Sequence, residues 1–141
     1  MKSWKLAIVY YIIGYAIATT SGFGIYYFVS ETAMWVFTMT LLPVLFIVLC
    51  YRYFSHVHYN SNNFLDGEVV RLTILWLLLS FVFDVIVYVF LTPLLYGYPF
   101  NWTFFRDHSP LIWYNYAGVI FITAIGKLIY HLKNKHLITV S

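Results

Sequence analysis

Residues 72–95 read LTILWLLLSFVFDVIVYVFLTPLL. A helix needs about 20 apolar residues to cross ~30 Å of hydrocarbon, and this run exceeds that. It holds one acidic side chain, Asp84. A carboxylate at such depth costs a few kcal/mol on insertion scales, so it turns toward protein or a wet cavity rather than lipid. Asp84 is the only acidic residue inside any of the long hydrophobic segments of the chain. The stretch therefore identifies the solvent of the fold and marks the first candidate for function.

Composition agrees. Of 141 residues, 62% are hydrophobic, 23% aromatic and 9% charged, with a mean hydropathy of +0.80. A soluble domain carries about 25% charged residues and could not cover its surface with so few. The net charge of +3 resides in side chains that flank hydrophobic segments. That placement points to topology signals and lipid headgroups, and away from nucleic acid. Cys50 is the single cysteine. An intramolecular disulfide and CxxC redox chemistry are excluded, and Cys50 reads as a small apolar residue near a helix end.

Hydropathy predicts spans at about 6–29, 33–51, 69–96 and 111–131, all within one transmembrane domain over residues 1–141. Lys2 and Lys5 resemble the start of a signal peptide. The apolar run behind them is longer than the usual ~7–15 residues and ends on Tyr26, Tyr27 and Phe28 rather than small residues, so it reads as a retained span. Four crossings put Lys2, Lys5, Arg52, Arg71, Lys127, Lys133 and Lys135 on one side and Arg106 alone on the other. The positive-inside rule then predicts cytoplasmic N and C termini, in a cytoplasmic (inner) membrane. Short links predict antiparallel neighbours. The expected fold is an all-α integral membrane protein, a four-transmembrane-helix antiparallel bundle.

Local signals refine this. Asp66 is placed to N-cap the third helix, with Glu68 in its first turn where the helix dipole favours negative charge. Ser109 and Pro110 read as a cap and N1 proline for the fourth. Pro93 is expected to end or kink the third helix, and Pro43 to kink the second. Internal repeats and low-complexity stretches are absent from the sequence.

Gly14, Ala18 and Gly22 recur at four-residue spacing, with Ala7 extending the stripe. Small residues let helices approach closely in lipid, so the stripe predicts a helix-packing face or a joint to a second copy. Polar residues fall in one layer. Asp84 lies 15 residues from Val69, roughly 22 Å along a helix. Asn115 on the fourth span, Thr19, Thr20 and Ser21 on the first, and Thr38 on the second reach a similar height. Ser80 and Tyr88 flank Asp84 on its own face. One reading makes the layer a hydrogen-bonded register pin, with Asn115 and a threonine serving Asp84. The other makes Asp84 a site for a cation, a proton or a cationic or amphipathic solute.

Other candidates are weaker. His56 and His58, with Asp66 and Glu68 nearby, share a face only in extended backbone and lack a third histidine, so no metal site is expected. Arg106, Asp107, His108 and Ser109 are consecutive and cannot form a catalytic triad among themselves. Asn101, Trp102 and Thr103 match a glycosylation sequon, a pattern that three residues often make by chance. Trp4, Trp35, Tyr96, Tyr98, Trp102 and Trp113 cluster at boundaries as interface belts require. Tyr10, Tyr11, Tyr15, Trp76 and Tyr88 lie deeper, need hydrogen-bond partners, and are able to line a cation–π site near Asp84. Lys127, Lys133, Lys135, His131 and His136 read as a basic tail against anionic lipid headgroups.

The sequence thus predicts a small membrane protein that binds or moves a cation, proton or cationic solute through a site around Asp84, without a cofactor or enzymatic machinery. Four helices enclose little interior, so a homo-oligomer is expected. The alternatives are a non-catalytic subunit in a larger membrane complex, and a membrane-embedded enzyme or lipid-ligand binder.

Overall fold

Ser30 both ends one helix and begins the next. Helix α1, Trp4–Phe28, closes with the Val29 and Ser30 N–H groups on the Ile25 carbonyl. The Ser30 hydroxyl then accepts the Ala33 N–H at 3.1 Å, capping α2, Glu31–His56. This is the exchange by which Ser satisfies orphan N–H groups at a helix start. Helix α2 continues through Pro43 and five residues past the expected end at residue 51. The computed structural model describes residues 3–57 and 66–138, with side chains as far as 134.

Helix α3, Gly67–Asp84, is capped as expected, the Asp66 carboxylate accepting the Glu68 and Val69 N–H groups at 3.0 and 3.2 Å. From Val85 to Leu91 the backbone widens into a π-helical segment, followed by α4, Thr92–Tyr96. Pro93 therefore alters the helix without ending it. Proline has no N–H for the carbonyl one turn back. The Val89 carbonyl accepts the Asn101 N–H at 3.1 Å instead, which ties the following loop to the helix. Gly97, at φ +71°, makes the left-handed turn that ends α4, a conformation glycine adopts without strain. A short α5, Phe104–Asp107, interrupts the loop, and α6 runs from Leu111 to Ile138, with Pro110 just ahead of it.

Among the described residues four helices are long and apolar enough to cross a membrane: Trp4–Phe28, Glu31–His56, Gly67–Tyr96 and Leu111–Asn134. No strand occurs among the described residues. Large apolar side chains such as Val9, Ile13, Val44, Val48, Leu78 and Phe121 are exposed, a surface matched to lipid.

Helix α1 packs on α2, α2 on α6, α6 on α3, and α3 back on α1. Two glycines set the closest approaches. A Cβ at Gly14 would stand 2.8 Å from Leu49 Cδ1, and one at Gly126 would stand 2.7 Å from Cys50 Cβ. The dense core, with Ala7, Tyr53, Phe54, Val69, Leu72 and Trp76 almost fully buried, sits toward one end of the molecule. At that end Tyr53 donates to Glu68, Thr73 and Thr123 hydroxyls lie 2.6 Å apart, and Lys127 Nζ meets Asp66 Oδ2 at 2.5 Å.

Lys127 is therefore not part of a lipid-facing tail, as its neighbours in sequence suggested. It is 3% exposed and buried against the α3 cap. His56 is likewise helical, with Tyr10 Oη 3.0 Å from its Nδ1, so it does not offer the extended His-x-His edge. His58 lies outside the described residues.

Candidate functional site

The face of α3 that carries Asp84 is a polar ladder. Trp76 Nε1 donates to the Ala7 carbonyl at 3.2 Å, Tyr11 donates to Ser80 Oγ at 2.9 Å, and Tyr15 donates to Asp84 Oδ1 at 2.9 Å. Each pair is separated by 69 residues, and Tyr27 with Tyr96 repeats the offset through a 2.8 Å hydrogen bond. A constant offset means α1 and the third span lie side by side in the same direction. Successive rungs are four residues apart on both helices, the spacing that keeps side chains on one face. Ser80 passes its own proton to the Trp76 carbonyl at 2.8 Å, so this part of the ladder is satisfied internally.

Asp84 sits at the junction of α3 and the π-helical segment, 8% exposed. Its second oxygen accepts from Tyr116 of α6 at 2.7 Å. Both carboxyl oxygens thus receive phenol donors, hydrogen bonds that orient the group. Tyr88, inside the π-helical segment, stacks on Phe104 of α5 with centroids 4.9 Å apart and planes at 5°. A π turn rotates side chains out of α-helical register and is common at functional sites.

Asp84 lies in the wall of a cavity of about 1200 Å³. Its lining extends to the loop end of the molecule, where Glu31, Trp35, Tyr98, Asn101 and His108 contribute to it. Tyr11, Trp76 and Ile122 of the dense core form part of its lining, whereas Ala7, Cys50, Tyr53, Phe54, Val69 and Leu72 do not. Pockets for drug-sized ligands are about 300–1,000 Å³, apolar, with few polar groups. This one is larger, and rings dominate it.

Of the residues singled out from sequence, Asp84, Asn115, Ser80, Tyr88, Thr19 and Thr38 all line this cavity, as do Ala18 and Gly22. Thr20 is exposed and outside the lining. Asn115 shares the cavity with Asp84, but the carboxyl takes its hydrogen bonds from Tyr15 and Tyr116. The small-residue stripe divides: Gly14 packs within the chain against α2, while Ala18 and Gly22 leave space in the cavity wall. Residues from all four long helices of one chain line this cavity.

The loop residues are occupied with each other. Thr103 donates to Asp107 and, with Arg106 beside it, holds the Asp107 carboxyl below the usual carboxylate range. His108 Nδ1 donates to the Phe104 carbonyl at 2.9 Å. Among the described residues no three His, Cys, Asp or Glu side chains converge as metal ligands. The chain matches no known protein family, no curated protein and no solved structure.

Proposed function

We propose that this is an antiparallel four-helix membrane protein with both termini cytoplasmic, whose cavity opens to the outer side and binds an organic cation with Asp84 as counter-charge. The orientation rests on the lysine and arginine asymmetry of the sequence. The observation that supports the function is a carboxyl group presented by two phenols in the wall of a large aromatic cavity. Charge and ring faces together attract ammonium-type cations, each aromatic contact adding roughly 0.5–2 kcal/mol. The volume suits a molecule rather than a bare ion, and the floor at Tyr11 and Trp76 suits binding rather than free conduction.

The test is calorimetric titration of the detergent-solubilised protein with tetraphenylphosphonium, comparing wild type with Asp84→Asn. The substitution keeps shape and removes charge, and affinity is expected to fall about tenfold or more, equivalent to ~1.4 kcal/mol. Equal affinity in a folded Asp84→Asn protein would end the proposal.

A further inference from the structure

Among the described residues two acidic side chains line the cavity, Asp84 and, at the loop end, Glu31, and no lysine or arginine lines it. Glu31 opens α2, where the helix dipole favours a carboxylate. Its carboxylate is exposed and contributes to the cavity lining. Among the described residues its carboxylate forms no ion pair or hydrogen bond. His108 is the remaining ionisable nitrogen group at the mouth, and its Nδ1 is engaged with the Phe104 carbonyl.

The two acids are far apart and connected by rings. Tyr15 marks the level of Asp84 on α1, and the helix continues 13 residues further to Phe28 before the turn into Glu31. At 1.5 Å per residue that is roughly 20 Å along the axis. Between them Phe23 meets Tyr88 at 5.9 Å and stacks with Tyr27 at 6.3 Å, and Tyr27 bonds Tyr96 at the rim. Phe23, Tyr27, Tyr88 and Tyr96 all face the cavity.

Building on the cation reading above, we infer that the ligand is an elongated polycation of the linear polyamine class. One ammonium pairs with Asp84, another with Glu31, and the methylene chain lies along the ring track. A compact monocation would reach only one of the two acids. An extended polyamine matches the span and the ring-lined wall together. Its several ammonium groups also favour ring faces along the way.

Titrations of the full chain in detergent at fixed ionic strength separate the possibilities, using spermine, the short dication putrescine and tetraphenylphosphonium. Spermine is expected to bind wild type about tenfold or more tightly than Glu31→Gln, whereas putrescine, too short to reach both acids, should bind the two proteins alike. Glu31→Gln should leave tetraphenylphosphonium affinity unchanged. Asp84→Asn should weaken all three ligands. If spermine binds wild type no better than Glu31→Gln, or Glu31→Gln weakens all three equally, the polyamine inference is overturned. Loss of tetraphenylphosphonium binding in Asp84→Asn would then still uphold the cation site. If Asp84→Asn changes nothing, both fall.

Discussion

Lys127→Met is expected to loosen the closed end of the molecule more than any exposed charge removal. The Lys127 and Asp66 side chains are 4% and 10% exposed, with Nζ and Oδ2 at 2.5 Å. Truncating one partner of a buried pair leaves the other charge uncompensated and costs about 3–5 kcal/mol. An exposed pair contributes about 0–1 kcal/mol. The unfolding equilibrium should therefore shift by ~100-fold or more. Equilibrium unfolding in mixed dodecylmaltoside and sodium dodecyl sulfate micelles, followed by tryptophan fluorescence, measures this, because Trp76 is buried. Lys133→Met is the control: Lys133 is exposed and lies 5.4 Å from the Tyr51 ring, a contact of about 0.5–1 kcal/mol. Asp66→Asn keeps a side-chain oxygen for the α3 cap and removes only charge. The double variant should be less destabilised than the sum of the singles by about 1–3 kcal/mol. A Lys127→Met protein within ~1 kcal/mol of wild type, or strict additivity, would refute the buried-pair reasoning.

Gly126→Ala should destabilise by about 1–3 kcal/mol, because the new methyl meets Cys50 Cβ at 2.7 Å and the Ile47 carbonyl at 3.3 Å, atoms that cannot swing away. Gly24→Ala, with nothing within 4 Å, should instead gain up to about 1 kcal/mol from helix propensity; the same unfolding assay reads both. For orientation, Thr103→Cys in a Cys50→Ser background should react with a membrane-impermeant maleimide in intact cells, and Asn134→Cys only after lysis. Labelling in the reverse pattern sinks the assigned sidedness.

Much of the frame was legible because lipid imposes length and polarity on any spanning helix. The Asp66 cap was legible for a local reason, since its N–H partners are two and three residues away. Height along a helix was readable as well, because rise per residue is fixed. Azimuth was not. Asn115 and Asp84 share a level, yet Tyr116, one residue and ~100° further round, reaches the carboxyl. The ladder of four-residue steps in Ala7, Tyr11 and Tyr15 and in Trp76, Ser80 and Asp84 was present in the sequence, but its offset emerges only when two helices are paired. Lys127 gave no local sign of burial, for its partner is 61 residues away. Whether Pro93 would end or kink the helix was not readable, because the donor that takes the Val89 carbonyl, Asn101 N–H, comes from beyond the helix.

The two ends of the molecule are chemically opposite, and this limits what the cavity can do. At the loop end, Glu31 and a group of aromatic rings line the cavity. At the other, Lys127 and Asp66, Tyr53 and Glu68, and Thr73 and Thr123 are joined across three helices. A ligand that enters at the mouth leaves by the mouth unless those contacts part. Parting them exposes buried charges to one another's loss, a cost of several kcal/mol that a ligand can offset only by binding the parted form more tightly. On the proposed reading, binding and carriage are separable: Asp84 would govern the first, and the Lys127 cluster would govern access to any second conformation. A Lys127→Met protein that binds tetraphenylphosphonium as wild type does, yet changes its flux into proteoliposomes, would locate the gate there. Flux unchanged alongside a weakened closed end would mean that the cluster only holds the helices together.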